Sequence, residues 1–139
     1  MTIIRPSGVI IVLSLMFAVC AVADSRPVEW QATSQNGLFK LHVAPLEGDY
    51  SIGEYQQWLL RLTTPDGEPV SDAQIVLGGG MKGHGHGLPS QPRVIAQPEP
   101  GRYVIDGVLF NMAGDWTLMV LIQTDAHAER AQVELALSF

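Results

Sequence analysis

Met81, His84 and His86 lie within one short run, Gly78-Gly79-Gly80-Met81-Lys82-Gly83-His84-Gly85-His86-Gly87-Leu88-Pro89. Imidazole nitrogen suits copper, zinc, nickel and iron, and thioether sulfur selects the softer Cu(I). One glycine separates the two histidines. In an extended backbone that spacing points both rings to the same side, and a bent glycine backbone converges them further. Met81, His84 and His86 are therefore a candidate metal site, with copper as the best chemical match. The plainer alternative is a long glycine connection with two solvated histidines. Six glycines among these side chains are too many for a helix and weaken a regular strand. The run is expected to be a loop, the usual place for function.

The compartment bears on the same question. Arg5 precedes an apolar run from Val9 to Val22 that ends in Ala21-Val22-Ala23. A positive residue, a short apolar core and an Ala-x-Ala site make a secretory signal peptide over residues 1–23, cleaved after Ala23. The run is short for a membrane span. An uncleaved N-terminal anchor and lipidation at Cys20 are the alternatives, and Phe-Ala-Val is a poor lipidation context for that cysteine. Cleavage removes Cys20, the only cysteine, and leaves a domain over 24–139 with neither disulfide nor thiolate. It is expected in the periplasm or secreted. A soft-metal site there must use methionine and histidine, the donors that survive where free thiols are oxidised.

The whole chain, 139 residues with the signal included, carries a net charge of −6 and a pI near 5.0. That is one domain, without the basic surface that nucleic-acid binding requires. The elements that must position the metal donors read as β throughout. Val28–Thr33 alternates apolar and polar, Asn36-Gly37 marks a hairpin turn, and Leu38–Ala44 returns. A long strand spans Glu54–Thr64, and Pro65 and Gly67 set the turn after it. A short strand, Ala73–Leu77, runs into the glycine-rich segment. Arg93–Ala96, Arg102–Phe110 with a bulge or kink near Gly107, the apolar Trp116–Thr124 and the alternating His127–Ser138 follow. Short strands with turn signals roughly every 8–12 residues indicate an all-β fold, an antiparallel immunoglobulin-like β-sandwich of about seven strands.

Enzyme signatures are missing from the sequence. It has no serine in a nucleophile elbow, no cysteine nucleophile outside the signal, and no phosphate-binding glycine loop leading into a helix. A zinc hydrolase needs three good ligands and an open position. Only His42 or His127 could add to the pair, and His42 reads as a surface residue of its strand. The expectation is a protein that is not an enzyme.

Two further stretches complete a pattern. Gly67–Ile75 leads to Gly78–Pro89, and Gly101–Ile105 leads to Val108-Leu109-Phe110-Asn111-Met112-Ala113-Gly114-Asp115-Trp116-Thr117-Leu118. In this order, over roughly Leu60–Ile122, the chain resembles the YtkA-like and FixH-like domains, small exported or membrane-anchored β-sandwiches. The resemblance implies a setting of copper handling and respiratory-oxidase assembly. It aligns Met81, His84 and His86 with the family's Met/His loop and Met112 with the methionine of the second motif. Met112 would join the site if the two motifs share one end of the sandwich; otherwise it fills the core. Unlike FixH-type proteins, the chain has no clear retained helix and no extra domain. The expected function is an exported copper-binding domain in metal handling or delivery, with copper as cofactor and a membrane or periplasmic metalloprotein as acceptor. The alternative is a metal-free periplasmic binding or assembly module that contacts a protein or small ligand through the glycine-rich loop.

Overall fold

The computed structural model describes residues 28–139. The signal peptide, its cleavage after Ala23, and Cys20 lie outside the described residues. Nine strands form: β1 (Trp30–Thr33), β2 (Lys40–Pro45), β3 (Gln56–Thr63), β4 (Gln74–Met81), β5 (His86–Gly87), β6 (Arg93–Glu99), β7 (Arg102–Val108), β8 (Gly114–Gln123) and β9 (Ala128–Leu137). Among the described residues there is no helix. Every strand pairs antiparallel with its neighbours, in the order β1-β2-β3-β7-β6-β4-β8-β9, with β5 on the side of β4.

Alternation places the side chains. On β8, Trp116, Leu118, Val120 and Ile122 face the core, and on β9, Val133, Leu135 and Leu137 meet them. Leu41 and Val43 of β2, Trp58, Leu60 and Leu62 of β3, and Tyr103 and Ile105 of β7 close the other side. As its apolar character predicts, β8 lies inside the sheet, between β4 and β9. The bulge expected near Gly107 is present. Ile105 faces Trp58 but Val108 faces Gln56, so Asp106 and Gly107 together oppose Gln57.

Two expectations need adjusting. The all-β, antiparallel class holds, but in place of about seven strands there are nine, in one nearly closed sheet. Periodicity marks strands but not their partners. The bridge Val76–Arg93 joins β4 to β6 and so links the two halves of the sheet. At the other side the β1–β2 turn is fastened to β9. Gln35 N donates to Arg130 O at 2.7 Å, and Asn36 donates to the Glu129 carboxylate from its backbone N (3.0 Å) and its Nδ2 (2.6 Å).

The second correction concerns Gly78-Gly79-Gly80, expected in a loop but found in strand β4. Gly78, Gly79 and Gly80 pair with Met119, Leu118 and Thr117 of β8, and Gly80 also pairs with Gly87 of β5. A Cβ on Gly79 would run into the Thr117 carbonyl oxygen, and one on Gly80 into the His86 carbonyl oxygen. Glycine density here reflects close approach of backbones, which outweighs glycine's low strand preference. Gly79 also has φ +142°, so Gly79→Ala combines a backbone clash with strain. A loss of about 2–4 kcal/mol is expected in urea unfolding.

Glu129 occupies a core-facing position of β9 at the rim. The hydrogen bonds from Asn36, and then that from Ser34, hold its carboxyl below the usual carboxylate range. A depressed folded-state pKa means the contribution is present above the unfolded value and is lost as pH falls through the folded one. Thermal melts from pH 7 down to about pH 3 are expected to show Glu129→Gln melting lower than the parent at neutral pH. The difference between the two should shrink toward the acid end.

Candidate functional site

The Met/His segment folds as a tight hairpin rather than a long loop. Met81 ends β4, His86 begins β5, and the two are paired across the ladder. Lys82, Gly83, His84 and Gly85 make the turn. Met81 O accepts from His84 N at 3.1 Å and from Gly85 N at 3.0 Å, and Gly85 takes φ +68°. A four-residue hairpin loop built around a tight turn commonly ends in such a left-handed residue.

This geometry brings His84 and His86 together. Their ring centroids lie 5.9 Å apart, tilted by 47°, and both residues are exposed. His86 rests with its ring edge-on to Trp116, centroids 5.7 Å apart. Its Nδ1 lies 3.1 Å from Gly87 O. In the tautomer that donates this bond, Nε2 is left free as a ligand. Directly opposed residues of an antiparallel pair project to one face of the sheet, so Met81 and His86 share a face.

Met81 differs from the two histidines. It is 3% exposed and belongs to the hydrophobic core. Its Cε lies 2.6 Å from where a Cβ on Gly114 would be. Glycine at 114, with φ +130°, makes room for the thioether. Met112 is half-buried against the core, and its carbonyl accepts the Trp116 indole N–H at 3.1 Å. Both sequence motifs therefore meet at Trp116, with His86 on its ring and the Met112 carbonyl on its nitrogen. His42 and His127 stand elsewhere. His42 is beside Glu29 and Arg61 on the β1–β3 surface. His127 lies in the β8–β9 turn, at the end of β8 away from Trp116, edge-on to Phe39. Among the described residues no three His, Cys, Asp or Glu side chains gather around one point.

Sequence reasoning missed two features of the site. Met119 projects to the outer face of β8, between the inward Leu118 and Val120. With Gly79, Gly80, His86, Thr117 and Gln132 it lines a shallow depression of about 370 Å³ beside the hairpin. The signal was present: in a strand whose core positions are Trp116, Leu118, Val120 and Ile122, Met119 falls out of phase. The second feature is an anchor. Lys82 Nζ donates to Glu134 Oε1 at 3.3 Å, and Thr117 Oγ1 donates to Glu134 Oε2 at 2.6 Å. The Thr117 bond, more than the Lys82 charge, lowers the Glu134 carboxyl pKa. No sequence pattern links residues that far apart.

Burial of Met81 separates two substitutions. Met81→Ala is expected to cost about 2–5 kcal/mol by opening a cavity. Met81→Leu, nearly equal in volume, should cost less than about 1.5 kcal/mol while deleting the sulfur. Urea unfolding of the two variants checks this.

No curated protein and no solved structure matches the chain. The family model described as YtkA-like matches residues 31–121. That span takes in β2 to β7, the whole Met/His hairpin, Met112 and most of β8. The chain belongs to the YtkA-like family.

Proposed function

We propose that the chain is an exported copper-binding domain that carries or buffers the ion, with His84 and His86 as its exposed ligands and Met81 as a thioether donor from the core side. The observation that carries this reading is the hairpin register. It sets His86 opposite Met81 and brings the His84 ring within 5.9 Å of the His86 ring. Metal–imidazole nitrogen distances are about 2 Å, so rings at this spacing fit one shared ion. Histidine serves both oxidation states of copper and thioether favours the reduced one. Water or Met112 would complete the shell. Two exposed histidines on a short turn favour exchange over storage, and a membrane or periplasmic metalloprotein would receive the ion. The reading is of a carrier, not a catalyst, placed in the periplasm or outside the cell by the signal peptide.

The β4–β6 bridge also supports a finer reading of the fold. With Val76–Arg93 as the junction, the sheet divides into β1-β2-β3-β7-β6 and β5-β4-β8-β9, packed face to face in the immunoglobulin-like manner.

Separate titrations with Cu(I) and Cu(II), with zinc as control, test the function. The parent should bind one copper ion. The His84→Ala/His86→Ala double variant should lose both oxidation states by tenfold or more. Met81→Leu should weaken Cu(I) and leave Cu(II) nearly unchanged. Undiminished copper affinity in the double-histidine variant would sink the proposal. A protein partner captured from envelope extract despite chelator would then favour a metal-free binding module.

A further inference from the structure

Seven aromatic rings form a line across the molecule, starting at the hairpin. Their centroid spacings are 5.9 Å for His84–His86, 5.7 Å for His86–Trp116, 5.2 Å for Trp116–Phe110, 5.5 Å for Phe110–Trp58, 5.4 Å for Trp58–Trp30 and 5.8 Å for Trp30–Tyr50. Trp58 and Trp30 are nearly parallel, at 13°. The middle of the line is dry: Trp116, Phe110 and Trp58 are 0–2% exposed. Both ends reach water, through the exposed histidines and the half-buried Tyr50. No single strand runs along this path. β8, β3 and β1 each contribute one tryptophan, and these are all three tryptophans of the chain.

With cysteine, of which residues 28–139 have none, tryptophan and tyrosine are the side chains that most readily give up a single electron. Phe110 is not oxidised but bridges Trp116 and Trp58. The hydrogen bonding around each ring decides where a positive charge would rest. The Trp116 N–H donates to a backbone carbonyl, which is too weak a base to take the proton. The buried Trp58 N–H has no acceptor among the described residues. An oxidised indole at either position keeps its proton and can be refilled. Tyr50 differs. Its hydroxyl lies 3.2 Å from Ser138 O and 3.4 Å from Ser138 Oγ, and it accepts from Ser138 N at 3.0 Å, at an exposed site. Solvent can take the phenolic proton there.

We propose that this line of rings conducts one-electron oxidising equivalents from the histidine hairpin to Tyr50. The copper reading supplies the source of the oxidant; the path itself does not depend on it. If a reduced copper ion held by His84 and His86 met hydrogen peroxide, it would pass on one electron and become Cu(II), and the peroxide would split into hydroxide and a hydroxyl radical. The radical takes an electron from Trp116 and becomes a second hydroxide. Trp116 is refilled from Trp58 across Phe110, Trp58 from Trp30, and Trp30 from Tyr50. Tyr50 releases its proton to water, which neutralises one hydroxide. The net change is hydroxyl radical plus phenol to water plus phenoxyl radical, which a small-molecule reductant returns to phenol by hydrogen-atom transfer. The histidines are thereby spared the oxidation that a ligand beside a redox metal otherwise suffers.

The test needs no copper. In the full-length chain, Cys20→Ser removes the native thiol and Lys82→Cys, at an exposed turn position, carries a ruthenium polypyridyl photosensitiser. A laser flash with a cobalt(III) ammine as sacrificial acceptor creates the oxidant at the hairpin. A phenoxyl radical is expected by transient absorption and by EPR. Tyr50→Phe, at a half-exposed position that leaves the core intact, should abolish it and leave a longer-lived indole radical. Trp58→Phe should delay its arrival by an order of magnitude or more. A phenoxyl signal that survives in Tyr50→Phe, or one that arrives equally fast in Trp58→Phe, overturns the proposal. The copper-loaded parent treated with peroxide separates the two readings. A positive flash result without Tyr50 oxidation by peroxide counts against copper at the hairpin and leaves the path standing. Oxidation mapped to Tyr50 supports both.

Discussion

Three backbones meet at Gly79 and Gly80 with no room for a side chain, and much else follows from that contact. β8 lies on one side of β4 and the returning β5 on the other, each close enough that a methyl group would collide with a carbonyl oxygen. Because β5 is held this close, the turn between them can be only four residues long. A short turn fixes register, and register sets His86 opposite Met81. The same closeness seats the His86 ring on Trp116. A bulkier residue at either glycine would push β5 outward and remove the histidines from the rim of the core.

The hairpin therefore joins two environments. Met81 is as buried as a core leucine, and Gly114 leaves space for its methyl group. His84 and His86 are in water a few ångströms away. On the proposed copper reading, a soft donor kept dry beside two wet borderline donors would discriminate between oxidation states without enclosing an ion. The Lys82–Glu134–Thr117 contacts tie the turn to β8 and β9. The exposed Lys82–Glu134 pair adds little stability by itself, but it limits where the turn can move.

The core beneath the hairpin is built on aromatic rings. Trp116, Phe110 and Trp58 pack edge to face, and Trp30 stacks over Trp58 at the surface. Such contacts add to simple burial, and the domain has no disulfide among its described residues to replace them. The arrangement also fixes the second sequence motif. The indole of Trp116 holds the Met112 carbonyl, so the 111–113 turn cannot move independently of the ring that carries His86. Packing, the placement of His86 and the line of rings toward Tyr50 thus rest on the same few side chains.

Much of this was legible in the residues. The all-β class followed from alternation and turn chemistry: Pro65 and Gly67 close the turn expected of them, with Gly67 N donating to Thr64 O at 3.0 Å, and Gly107 marks a bulge. Met81, His84 and His86 could be picked out because methionine and histidine two and three residues apart stand out beside so many glycines. What the sequence could not convey were relations between distant residues. The glycine triplet looks the same whether it frees a loop or lets strands touch, and only the position of Thr117 and His86 decides between them. Met81 reads as a loop ligand until Gly114, 33 residues later, is seen to open a space for it in the core. Likewise, Trp30, Trp58 and Trp116 are three separate core residues in the sequence. Local periodicity determined which segments are strands and which side chains point inward; tertiary pairing decided which strands are neighbours, and so which donors and rings meet.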